Sequence, residues 1–206
     1  MDSSDVFEYI PITIDSATKK VSSSSKSPNH ALENELEALN TLHRQMVGLE
    51  TPNSIPPPPV PVNPKRSQQI GKLRETGNNE FRKGKHQDAI KMYTLAIDMA
   101  KTRPGWEPAG LVREEIAALY ANRAQAHMSM REWAEGAIDA QASVDMRAVN
   151  NTKGWWRRSK CLMEMGRIEE AQEAVKKGLE FGADNDLLSL RKEIESVLEK
   201  KSVRAF

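Results

Sequence analysis

The sequence is short of cysteine, of aromatic side chains and of long apolar runs, and it carries almost no net charge. A single cysteine, Cys161, permits no internal disulfide and suits a reducing, cytoplasmic setting. With 38% hydrophobic and 5% aromatic residues, the 206-residue chain can support one modest core and an appendage. No apolar stretch approaches the roughly 18–20 residues of a membrane helix, so no direct membrane span is expected. The opening MDSSDVFEYI is acidic and lacks the basic-then-apolar layout of a secretion signal. A net charge of +1 argues against a nucleic-acid partner, because general polyanion binders carry a strong basic excess. That charge divides unevenly. Residues 1–63 sum to −4 and residues 64–206 to +5.

Chemistry-bearing patterns are scarce as well. His30, His43, His86 and His127 are scattered without zinc-ligand spacing, so no metal is expected. There is no phosphate-cradling glycine loop and no GxSxG elbow. No cofactor and no catalytic set is expected, and an enzyme is the least favoured class. Cys161 reads as a small packing residue. Trp106, Trp133, Trp155 and Trp156 read as interhelical packing, with Trp155 and Trp156 flanking a candidate site described below.

Proline, by contrast, is concentrated. Seven of eleven prolines fall between Pro52 and Pro64, a run that favours extended polyproline II geometry and reads as a semi-rigid connector. A ligand for a proline-binding domain is the alternative. Upstream, Val6–Ile14 suits a short strand or two broken by Pro11. Lys19–Ser27 reads as a serine-rich loop. Between Asn29 and Gly48, Leu32, Leu36, Leu39, Leu42 and Met46 recur at helical spacing. One such helix and a strand cannot bury their own apolar faces. They either pack on the following domain or dock another protein.

Beyond Pro64 the pattern is helical and repetitive. The segments RKGKHQDAIKMYTLAI, SMREWAEGAIDAQASV and EMGRIEEAQEAVKKGL align. Each has a small residue five positions after a turn residue: Gly84 to Ala89, Arg131 to Gly136, Gly166 to Ala171. Small residues also recur at Gly77, Ala124 and Ser159, and at Ala96, Ser143 and Gly178. Leu73, Tyr120 and Trp155 share another repeat position. Small residues let the helices of a hairpin approach closely, while large ones fill the gaps between hairpins.

This register resembles the tetratricopeptide repeat (TPR), with units near 70–103, 117–150 and 152–185 and a capping helix at 186–201. The expected fold is mainly α: a three-repeat superhelix of antiparallel helix pairs, preceded by a small strand-and-helix segment. The expected organisation is an N-terminal docking segment at 1–50, a proline-rich linker at 51–68 and the repeat domain at 69–206. Two features depart from the pattern. Thirteen residues, Pro104–Ile116, separate the first two repeats, and Ala140 stands where a large residue is usual.

The first helix of each hairpin in such an array lines a groove. Arg74 and Asn78, four apart, fall on one such helix, Asn122 on the next, and Lys153 and Arg157, four apart, on the third. In the segments LRETGN, LYANRA and TKGWWRR this set resembles the two-carboxylate clamp of TPR domains that hold the Glu-Glu-Val-Asp tails of cytosolic heat-shock chaperones. The resemblance implies that Arg74, Asn78 and Asn122 hold the terminal main-chain carboxylate and that Lys153 meets the aspartate side chain. Arg157 would hold a backbone carbonyl or an upstream glutamate. The family usually has Lys where this chain has Arg74. Phe81 stands one turn beyond Asn78, as an apolar contact for the tail or as core.

The stretch DAIKMYTLAIDMAKTRPGWEPAGL, with its Pro-Trp-Glu insertion, looks like the small TPR subunit of the fungal post-translational translocation complex. That resemblance implies an adaptor held by a membrane-anchored subunit of the Sec complex on the cytosolic face of the endoplasmic reticulum. There it would receive heat-shock protein 70. A free cytosolic co-chaperone of heat-shock protein 70 or 90, and a purely structural scaffold, are the alternatives.

Overall fold

The computed structural model describes residues 10–24, 30–49, 62, 64–182 and 184–204. The proline run from Pro52 to Pro61, the Val6–Tyr9 part of the expected strand and Ser25–Ser27 lie outside the described residues.

Strands β1 (Ile12–Ile14) and β2 (Val21–Ser23) pair antiparallel, with Ile14 opposite Val21 and Thr13 opposite Ser22. The second strand sits inside the stretch expected to be a polar loop. Serine is tolerated there because Thr13 and Ser22 hydrogen-bond across the pair, hydroxyl to hydroxyl at 3.1 Å. The turn is built by Asp15, whose Oδ1 accepts from the Ala17 and Thr18 amides and from the Thr18 hydroxyl. Helix α1 (His30–Val47) follows the expected leucine periodicity. Its one buried residue is Asn40, whose side-chain amide accepts from the Val21 N–H at 2.8 Å and donates to the Val21 carbonyl at 2.9 Å. A side chain thus supplies the pairing that the edge of β2 lacks.

Among the described residues seven further helices follow: α2 (Pro64–Arg82), α3 (His86–Lys101), α4 (Ala109–Ser129), α5 (Trp133–Met146), α6 (Thr152–Glu164), α7 (Ile168–Phe181) and α8 (Asn185–Arg204). The described residues fall into two compact units. One holds β1, β2, α1 and residues 104–106, and the other holds α2 to α8. In the second unit each helix packs on the next, and α2, α4 and α6 also touch in succession. This is the stacking of three hairpins closed by α8, which packs on α6 and α7.

The small residues do what their register predicts. Ala89, Ala96, Ala124, Ala171, Ser143 and Ser159 are fully buried. A Cβ on Gly77 would lie 2.6 Å from the Tyr93 ring, and one on Gly178 would lie 2.7 Å from the Trp155 side chain. The three hairpin turns share one conformation, with φ of 77° at Gly84, 61° at Arg131 and 78° at Gly166. Arg131 therefore holds a left-handed conformation at a position where the other two repeats use glycine. Two apolar clusters result. One gathers around Ile70, Tyr93, Ile97 and Leu119, and the other around Trp155, Val175, Leu187 and Ile194.

Three expected boundaries shift. Helix α2 begins at Pro64, six residues before the expected repeat and inside the stretch read as linker, because proline suits the first turn of a helix. The insertion is shorter than thirteen residues, since α4 starts at Ala109, directly after Pro108, and carries the buried Ile116. The expected start of the second repeat at 117 thus falls inside a helix already two turns long. Helix α8 runs from Asn185 to Arg204, slightly longer than expected at both ends. What remains of the insertion is anchored by Arg103, only 7% exposed. Its guanidinium forks onto Glu115 at 2.8 and 3.0 Å, reaches the Ser67 hydroxyl at 2.8 Å and pairs with Glu107. A buried charge so fully partnered ties α2 and α4 to the connection between α3 and α4.

Candidate functional site

The site residues sit on α2, α4 and α6, the helices that touch in succession. Asn78, Phe81, Arg82, Tyr93, Asn122, Gln125 and Arg157 line a depression of about 310 Å³. A second, of about 210 Å³, shares Gln125 and Arg157 and adds Thr152, Lys153, Trp156, Asp184 and Asp186. Asn78, Asn122 and Arg157 are thus brought together, and Lys153 joins them through Arg157. Arg74 is exposed and lines neither depression. Phe81 lines the first depression and packs against the core, its ring 5.0 Å from that of His86.

The orientation of Asn78 follows from its neighbours. Its Oδ1 accepts from the Tyr93 hydroxyl at 2.8 Å and from Asn122 Nδ2 at 3.2 Å. With the carbonyl so engaged, the amide nitrogen is left to donate outward, and it meets Glu75 Oε2 at 3.2 Å. Tyr93 was not among the sequence candidates, although it occupies the repeat position that Ala140 takes in the second repeat. Burial raises the Tyr93 phenol above its ordinary pKa, which keeps it a neutral donor.

Arg157 is the electrostatic centre of the site. Its Nε donates to Gln125 Oε1 at 3.0 Å, a neutral partner, and Asp184 and Asp186 line the second depression with it. Burial lowers the pKa of this guanidinium, offset in part by Tyr93 and Cys161. A partly desolvated cation whose hydrogen-bond partner is neutral is stabilised by an incoming anion. Lys153 is exposed at the head of the same helix.

The placement of α6 rests on Asn151, a residue the sequence did not single out. It is the N-cap of α6, accepting from the Gly154 N–H at 3.2 Å. It also donates to the Ser143 carbonyl and hydroxyl and to the Arg147 carbonyl at 2.9–3.1 Å. Ser143 in turn donates to the Ala117 carbonyl at 2.8 Å. This buried chain registers the end of α5 and the start of α6 against α4, and so positions Lys153 and Arg157. An asparagine just before a helix is a residue type that caps it, but the link to Ser143 does not show in the sequence.

The remaining candidates are quiet. Cys161 is fully buried, and burial pushes its thiol up to about 12, which keeps it protonated as a packing group. Among the described residues no cluster of His, Cys, Asp or Glu has the geometry to hold a metal, and no helix is long and apolar enough to cross a membrane. Trp155 is buried and stacks on Phe181 at 5.8 Å, as expected of a packing residue, while Trp156 lines the second depression.

Comparison with known proteins agrees with the repeat register. No family model matches the chain. A solved chain of the Sec complex from S. cerevisiae has the same fold, with a TM-score of 0.73 over 93% of this chain and 99% of that one at 22% identity. The first TPR domain of Spaghetti (RPAP3), bound to the HSP90 peptide SRMEEVD, aligns with a TM-score of 0.55 at 25% identity, covering 65% of this chain and 95% of that one. Among curated proteins, the ER protein translocation subcomplex subunit sec67 of Schizosaccharomyces pombe is 36% identical over 143 residues, which span 68% of this chain and 74% of that protein. The helix pairs α2 to α7 are therefore tetratricopeptide repeats, and the chain belongs to the family of the translocation subunit sec67.

Proposed function

We propose that the chain is a non-enzymatic adaptor that binds the Glu-Glu-Val-Asp tail of heat-shock protein 70 and recruits that chaperone to the Sec translocon for post-translational import. The carrying observation is Arg157, a desolvated cation whose hydrogen-bond partner is a neutral amide, set beside the outward-facing donor of Asn78. The chemistry that completes such a site is a carboxylate presented by an extended peptide. The neighbouring fold that holds SRMEEVD supports the same class of ligand.

In this reading Asn78 and Asn122 hold the terminal main-chain carboxylate, and Arg74 reaches it from the exposed face of α2. Lys153 meets the aspartate side chain, Arg157 an upstream glutamate or backbone carbonyl, and Phe81 the tail's apolar side chain. Hydrogen bonds to charged groups contribute about 1.5–3 kcal/mol each, and ordering a flexible tail offsets much of that. An affinity on the order of micromolar follows, about −8 kcal/mol. The sec67 relative, named as a translocation subunit, supports a place on the cytosolic face of the endoplasmic reticulum, held by a membrane-anchored Sec subunit. The apolar side chains exposed on the N-terminal unit suit that docking.

The test is a titration with a free-acid peptide ending in Glu-Glu-Val-Asp and with its C-terminal amide. The free acid should bind and the amide should not. Equal binding, or no loss on combining Lys153→Ala with Arg157→Ala, rejects the clamp.

A further inference from the structure

Glu75 lies one turn before Asn78 on α2. Its Oε2 accepts from Asn78 Nδ2 at 3.2 Å, and its Oε1 accepts from Arg82 Nη1 at 3.2 Å. Asn78 and Arg82 both line the depression that holds Asn122 and Arg157. The Asn78 carbonyl is already engaged by Tyr93 and Asn122, so its amide N–H group is what remains to meet a ligand. A carboxylate of the chain itself therefore sits on one of the two Asn78 N–H donors and on Arg82, groups that face the depression a ligand carboxylate would enter. These hydrogen bonds also hold Glu75 below the usual carboxylate range, so it is charged near neutral pH.

We propose that Glu75 is a built-in competitor that sets the affinity of the groove for anionic tails. Two carboxylates cannot share the Asn78 amide without repelling one another, so an incoming tail displaces Glu75 toward solvent. The exchange is easy, because the Glu75 side chain is 56% exposed and is rehydrated as it leaves. The groove then binds its ligand reversibly, and Glu75 turns away anions too weakly held to displace it. This rests on the carboxylate-clamp reading above.

The experiment measures binding of the free-acid Glu-Glu-Val-Asp peptide to the full chain by calorimetry. Glu75→Gln, which keeps the shape and removes the charge, should bind roughly fivefold more tightly, the scale of one unscreened unit charge a few ångströms away in water. Glu75→Ala should shift in the same direction, and raised salt should narrow the difference. The control is Glu80→Gln on the same helix, a residue that pairs with Lys83 and Lys85 outside the depression; it should leave affinity unchanged within about twofold. Unchanged or weaker binding by Glu75→Gln overturns the proposal, as does an equal gain from Glu80→Gln. A wild-type chain that does not distinguish free acid from amide rejects the clamp itself and this proposal with it. A wild type that does, beside an indifferent Glu75→Gln, rejects the competitor alone.

Discussion

The N-terminal unit and the repeat unit both contain periodic apolar residues, yet they use them differently. Every buried apolar side chain among the described residues belongs to α2–α8. In the strands and α1 the single buried residue is the polar Asn40, while Ile14 is 67% and Leu39 48% exposed. Three stacked hairpins and a cap bury one another's faces. A two-stranded hairpin and one helix have too little surface to do so. The apolar faces of the repeat unit are buried within it, whereas those of the strands and α1 stay largely exposed within theirs.

The strongest way to break this contrast is to open the repeat core. Trp155→Ala removes the ring that packs on Gly178 and Leu187 and should cost about 3–5 kcal/mol in urea unfolding followed by circular dichroism. Asn151→Ala loses a helix cap and strands buried polar groups around Ser143. A cost of about 2–3 kcal/mol is expected in the same assay, with peptide affinity falling as Lys153 and Arg157 lose their support. Arg131→Gly should act in the opposite sense. It relieves a left-handed residue and should stabilise by about 0.5–1 kcal/mol, the strain relieved exceeding the added chain entropy. The smallest effect is expected in the other unit. Leu39→Ser with Leu42→Ser should change the unfolding of the repeats by less than about 0.5 kcal/mol while abolishing capture of the proposed Sec partner. A large loss of repeat stability from that pair would dissolve the distinction.

Much of the repeat fold was legible because three imperfect copies in register reinforce one another. A lone Ala124 says nothing, but Gly77, Ala124 and Ser159 at one repeat position identify a helix contact. The same register placed Asn78, Asn122 and Arg157 on neighbouring helices, and the structure brings them into one depression. Arg74 shows the limit of that reasoning: helical spacing puts it in line with Asn78, but the side chain stays in solvent. The second strand was missed because Val21–Ser23 has no strand composition of its own and is held by Asn40, nineteen residues away. The early start of α2 was missed because a proline-rich run reads as extended until its final proline turns out to begin a helix.

Periodicity and small-residue spacing, which are properties of a single helix and its nearest partner, were enough to determine a stack of helical hairpins with a basic, asparagine-bearing inner row. Only the tertiary structure decided which way the Asn78 amide faces, that Arg157 is partly buried with a neutral amide as its hydrogen-bond partner, and that Glu75 accepts from Asn78 and Arg82. Those outcomes depend on hydrogen bonds and burial contributed by side chains from two or three helices at once. Local pattern cannot encode them, because each partner looks like an ordinary polar residue until the helices are stacked.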